Sequence, residues 1–179
     1  MTARAKVTAA EFFKLPETNR ITELINGELI PPSSREPRHQ LILGEALVLI
    51  RDLMPNGEVW VAPVAVYLDE YNVLEPEGMW IAENSQCSVG TEYVTGAPEL
   101  VVEVFSPSTE KHDRKDKFEL YERFGVREYW MIAPAPELIE VWALESGKFT
   151  RLGIYAPGET FNSPVLAGAL VEVNRLFGY

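Results

Sequence analysis

The sequence predicts an α/β fold in which a mixed central β-sheet is flanked by helices, with additional β-hairpins. Three observations carry this. Residues 99–105 read ELVVEVF, a near-continuous apolar run of the kind found in a strand buried on both faces. A helical pattern up to Phe124 and its stop at Gly125 lead into a second apolar run at residues 128–133. The resulting strand–helix–strand unit is expected to be parallel and right-handed. Short apolar-polar runs flank Asn26-Gly27, a strong two-residue hairpin signal, and two further runs read as a hairpin across Glu145-Ser146-Gly147.

The elements follow in order. Thr8 and Glu11 have capping-box spacing and predict a short helix ending near Leu15-Pro16. ITELINGELI is a hairpin about Asn26-Gly27, and the Pro- and Ser-rich residues 31–37 form a loop. Leu41, Ile42, Leu43, Ala46, Leu47, Leu49, Ile50 and Leu53 give a largely buried helix over residues 38–54, stopped by Pro55-Asn56-Gly57. Residues 58–68 read as a strand, with Pro63 at an edge or bulge, and residues 78–82 as a short one. After the central strand, a Ser-Pro-Ser-Thr turn leads into the helix closed by Gly125 as its C′ residue. Residues 138–144 and 149–155 predict a hairpin, and the tail adds a strand or short helix. With no repeat and no long linker, residues 1–179 are expected to form one domain.

Composition narrows the function. Hydrophobic residues make up 46% and charged residues 24%, as in globular proteins rather than disordered ones. The N-terminus lacks a secretory apolar stretch, and residues 41–53 are too short and too charged to span a bilayer. A soluble, cytoplasmic protein is expected. Cys87 is the single cysteine, which excludes an intrachain disulfide and a cysteine-rich zinc site. The net charge of −11 argues against non-specific coating of nucleic acid. It does not exclude a nuclease, because carboxylates gathered at a metal site contribute to that charge.

Two residues depart from a plain core pattern. Alternation places Leu100, Val102 and Val104 on one face of the central strand, and Val101, Glu103 and Phe105 on the other. A carboxylate so placed must be protonated, paired or bound to a cation. In the following helix Phe118, Leu120, Tyr121 and Phe124 form one apolar stripe. Lys117 falls within that stripe, with Asp113 one turn earlier near its edge. Either Lys117 points toward the sheet that carries Glu103, or it snorkels to solvent while Glu103 pairs with it or with Arg114.

The segment GAPELVVEVFSPSTEKHDRKDKFELYERFGVREYWMIAP resembles the signature region of the Uma-two-type restriction endonucleases, within the PD-(D/E)xK nuclease superfamily. Similarity also extends to EFFKLPE, ELINGELI, PSSREPRHQLILGEALVLI and VLEPEGMWIA. The resemblance implies the restriction-endonuclease-like fold and a metal-dependent endonuclease acting on DNA as a homodimer, with Mg²⁺ or Mn²⁺ as cofactor. It also implies roles for matching residues. Glu77, where the family has the Asp of a Pro-Asp motif, and Glu103 would be metal ligands. Phe105 stands where the superfamily's lysine usually lies, and Lys117 would supply that charge from the helix. Glu23 would complete the catalytic set. His39 matches a family histidine, and His39, Asp113 and Arg114 are candidates for substrate contact. Ala133-Pro134 departs from the family's Asp-Pro.

Simpler readings compete. His39 also fits a capping or packing role, the basic cluster of Lys111, Arg114 and Lys115 a solvated helix face, and the tryptophans core positions. The alternative for the whole chain is an inactive member of the fold, serving as a nucleic-acid or protein-binding module or as a structural homo-oligomer.

Overall fold

The computed structural model describes residues 6–16, 23–31, 36–54, 56–106 and 110–179. Its first elements follow local chemistry closely. Helix α1 (Ala9–Phe12) opens on a complete capping box, in which the Thr8 hydroxyl accepts from the Glu11 amide and the Glu11 carboxylate accepts from the Thr8 amide. Strands β1 (Glu23–Ile25) and β2 (Glu28–Ile30) pair antiparallel. They turn at Asn26 and Gly27, whose φ values of 52° and 82° suit a two-residue hairpin of the primed type. Helix α2 (Pro37–Leu53) begins one residue earlier than expected, because Pro37 occupies its first turn, where a missing N–H costs nothing. Residues 32–35 of the expected loop, with the Ser33-Ser34 run, lie outside the described residues.

The strand expected over residues 58–68 is two strands in two sheets. Strand β3 (Glu58–Val61) and strand β4 (Ala65–Asp69) are separated at Pro63, which has no amide hydrogen for a ladder. Strand β5 (Asn72–Leu74) returns beside β4, and strand β6 (Gly78–Ile81) beside β3. Strands β7 (Ser88–Val89) and β8 (Tyr93–Thr95) are too short to carry a periodic signal.

Strand β9 (Leu100–Val104) is followed by a helical segment and strand β10 (Glu128–Ala133), which pairs parallel to β9 as the crossover rule requires. That segment comprises α3 (Glu110–His112), a π-helical turn (Asp113–Lys117) and α4 (Phe118–Phe124), closed by Gly125 at φ 90°. Strands β11 (Leu138–Glu145) and β12 (Lys148–Tyr155) form the expected hairpin. The tail supplies both a hairpin, β13 (Thr160–Ser163) with β14 (Ala169–Glu172), and the short helix α5 (Val173–Phe177).

The central sheet has the order β12-β11-β10-β9-β6-β3, and the second runs β2-β1-β5-β4-β8-β7. Leu100, Val102 and Val104 enter one core with α2, α5 and the terminal hairpin. Val101, Phe105, Tyr129 and Met131 enter the other, beneath α4 and beside Ile25 and Leu74 of the second sheet. Both faces of β9 are therefore dry, as its unbroken apolar run requires. Buried Glu128 ties the terminal hairpin to the sheet by accepting from Trp130 Nε1, Ser163 Oγ and the Val165 amide.

Candidate active site

Alternation along β9 puts Glu103 on the α4 side, beside Val101 and Phe105, where only 1% of its surface is exposed. Gly78 pairs with Val102 in the antiparallel β6–β9 ladder, so the next register step sets Glu77 against Glu103. The Val104 amide donates to Glu77 Oε2 at 2.8 Å and locks that arrangement. Helix α2 adds His39 from the other side. Leu43 and Leu47 approach Gly78, and His39, one turn before Leu43, brings Nε2 to 2.8 Å from Glu77 Oε1. That contact is close but poorly aligned for a hydrogen bond.

The lysine does not snorkel. Lys117 is 5% exposed, and its Nζ lies 2.9 Å from Glu103 Oε1, 3.0 Å from Glu23 Oε1 and 3.3 Å from Asp113 Oδ1. The π turn widens the helix between Asp113 and Lys117 and brings both side chains into the interior, a feature common where helices carry function. Tyr121, one turn further on, donates to Glu103 Oε1 at 2.9 Å, and Tyr129 donates to the Asp113 carbonyl at 3.2 Å. Glu23, on the hairpin of the second sheet, also accepts from the Glu75 amide at the end of neighbouring β5, which holds its carboxylate toward Lys117.

The charges do not balance. Glu23, Glu103 and Asp113 surround one ammonium, and Glu77 adds its charge beside Glu103. Burial pushes the Glu103 carboxyl well above the ordinary value; Lys117 opposes this, and Asp113, Glu77 and Glu23 add to it. Burial alone would lower Lys117, but Glu103, Glu23 and Asp113 outweigh it and hold the ammonium well above the usual lysine range. Burial and the Glu103 charge likewise raise the Tyr121 phenol, which stays a donor. The cluster is thus a charged lysine in a pocket with excess negative charge.

A cleft of about 490 Å³ opens beside it, lined by His39, Phe105, Met131, Ala133, Pro134, Leu138 and others. Arg114 stands at its rim with the guanidinium 4.6 Å above the Phe105 ring, bonded to Glu110 and Glu140.

A family profile described as "Putative restriction endonuclease", Uma2, matches residues 9–174. The chain belongs to the Uma2 family. Among solved structures it is similar to a putative nuclease belonging to DUF820 from Anabaena variabilis, at 16% identity and a TM-score of 0.79. The alignment covers 96% of this chain and 98% of that one, and shows the restriction-endonuclease-like fold. No curated protein matches.

In this Uma2 chain the sequence-expected residues Glu23, Glu103, Asp113 and Lys117 lie in one cluster, with Glu77 and His39 adjoining it. Asp113 is buried inside the cluster, while Arg114 lies outside it, at the cleft. Sequence reasoning missed Tyr121, which it placed in an apolar stripe. The spacing Asp113, Lys117, Tyr121 in steps of four carried the signal. Among the described residues, no three His, Cys, Asp or Glu side chains are arranged to hold a metal unaided. The carboxylates of Glu77 and Glu103 nevertheless fit Mg²⁺ or Mn²⁺, hard cations often held by one or two carboxylates together with substrate phosphate.

Proposed function

We propose that this Uma2 chain is a divalent-cation-dependent nuclease that hydrolyses phosphodiester bonds of DNA at the Glu77–Glu103–Lys117 cluster. The observation that carries this is the excess of buried carboxylate over ammonium, at the carboxyl end of parallel strands and next to an open cleft. Such a site repels a phosphate unless a further cation is present.

Glu77 and Glu103 would hold that cation, which supplies positive charge against the negative charge that develops on the phosphate. Lys117 and Tyr121 fix Glu103 through Oε1 and set the direction of its carboxylate. Glu23 and Asp113 keep Lys117 charged and in place. His39, buried at the cleft wall, would take the proton from the attacking water as its oxygen bonds to phosphorus and the bond to the leaving oxygen breaks. A homodimer would set one such site against each strand of a duplex.

One observation favours a second reading, an inactive binding module. Both Glu77 oxygens already have neighbours, and Lys117 already fills the space among three carboxylates. A cleavage assay separates the two. Supercoiled plasmid, single-stranded DNA and RNA are incubated with Mn²⁺, Mg²⁺ or chelator, beside folded Glu103→Gln and Lys117→Ala variants. The nuclease reading expects cation-dependent cutting that both variants lose. No cutting of any substrate, or cutting that survives in both variants, contradicts it.

A further inference from the structure

We infer that the cleft beside Phe105 is a base pocket, so that the strand reaches the cluster with one nucleotide unpaired, and that the pocket favours bases carrying an exocyclic amino group. This rests on the nuclease reading and narrows its substrate. The geometry comes from the sheet register. Glu103, Met131 and Glu140 pair in sequence across β9, β10 and β11. Neighbouring strands are about 4.8 Å apart, so Glu140 lies roughly 10 Å along the sheet from Glu103. The cleft covers the part of that span from Met131 to Glu140 and reaches Phe105, two residues beyond Glu103. A phosphate at the cluster therefore places its own base over Met131 and Ala133, on the way to Glu140.

The lining suits a base and not a phosphate. Met131, Ala133, Pro134, Leu138 and the Phe105 ring make an apolar floor. The Arg114 guanidinium carbon sits 4.6 Å from the centre of the Phe105 ring, so this wall offers an aromatic face to a cation or a base. Among the described lining residues, Glu36, Glu110 and Glu140 accompany Arg114, and Arg114 is bonded to Glu110 and Glu140. Carboxylates repel backbone phosphates and accept hydrogen bonds from amino groups such as N4 of cytosine. The volume, about 490 Å³, falls in the range of small-ligand pockets. A paired base presents only its groove edges and cannot enter such a pocket, whereas an unpaired or extruded one can.

The test measures binding with Ca²⁺ present as the hard cation, and a denaturing gel of each sample confirms that the strands stay intact. Fluorescence anisotropy follows short labelled dC, dA and dT strands and the corresponding duplexes, with wild type, Ala133→Phe and Glu140→Gln. Ala133→Phe fills the cleft floor, and Glu140→Gln weakens the acceptor at its far end. The expected result is binding of dC and dA about tenfold tighter than of dT or duplex, consistent with one good base contact. That preference should be lost in Ala133→Phe and reduced in Glu140→Gln. Should Ala133→Phe fail to fold, the dC-to-dT ratio in Glu140→Gln still decides. Equal binding of paired and unpaired strands, or a preference unchanged in the folded variants, overturns the inference. A chain that cuts duplex in the cleavage assay yet shows no unpaired-base preference loses this inference alone. A chain that keeps the preference and cuts nothing loses the nuclease reading alone.

Discussion

Lys117 carries the electrostatics of the site, and its removal has a definite expected cost. Lys117→Ala leaves Glu103, Glu23 and Asp113 buried without their shared cation. Breaking a buried ion pair from one side costs about 3–5 kcal/mol, which urea unfolding in chelator would register as a lower midpoint. Tyr121→Phe removes one hydrogen bond to the same carboxylate and should cost about 1.5–3 kcal/mol by the same measurement. A Tyr121→Phe protein as stable as wild type would show that the phenol does not support Glu103. At this scale Glu103 and Lys117 were legible because each interrupts an apolar pattern. Tyr121 was not, because a tyrosine fits an apolar stripe whether or not its hydroxyl works. Glu23 and Glu77 came only through family resemblance, since a carboxylate near a turn looks ordinary in sequence.

Elements position those residues, and the strongest local signals held. The capping box at Thr8, the Asn26-Gly27 hairpin and the Gly125 stop each appear where the chemistry places them. Gly125 has φ 90°, so Gly125→Ala should cost roughly 1–2 kcal/mol through left-handed backbone strain, read as a lower urea midpoint. Nothing lies within 4 Å of a Cβ added there, so crowding would not confuse the result. Two features escaped the sequence. The π turn leaves no mark in a 100° projection, because that projection assumes an unbroken α-helix. The division of residues 58–68 between two sheets depends on tertiary pairing; Pro63 marked an irregularity without showing that the chain changes sheet.

For the molecule as a whole, the buried carboxyls set the pH dependence. Glu103 and Glu128 are both raised above the ordinary 4.5, chiefly by burial. The folded chain then binds more protons than the unfolded chain, so stability declines as pH rises from about 4.5 through the folded values. Lys117, raised above 10.5, contributes fully below that value and loses its contribution above it. Exposed Glu11 and half-buried Glu122 are lowered and act the opposite way below 4.5, with little weight where solvent screens them. Self-repulsion from the net charge of −11 also eases toward the isoelectric point near 4.7. Urea midpoints should therefore be higher near pH 5.5 than near pH 8.5, and the reverse order would contradict the assigned shifts. No described helix is long and apolar enough to cross a membrane. The α/β class and the central strand–helix–strand unit were readable in sequence because both depend on long, dry segments. The second sheet was not, because it is built from strands of two to five residues.

The central claim is that the acidic cluster around Lys117 takes up a divalent cation. Isothermal titration of the metal-free chain with Mn²⁺, set beside folded Glu103→Gln, tests it most directly. The account predicts saturable uptake by the wild type, with a raised unfolding temperature, and loss of both in the variant. Absence of uptake by the wild type, or equal uptake by Glu103→Gln, would contradict it.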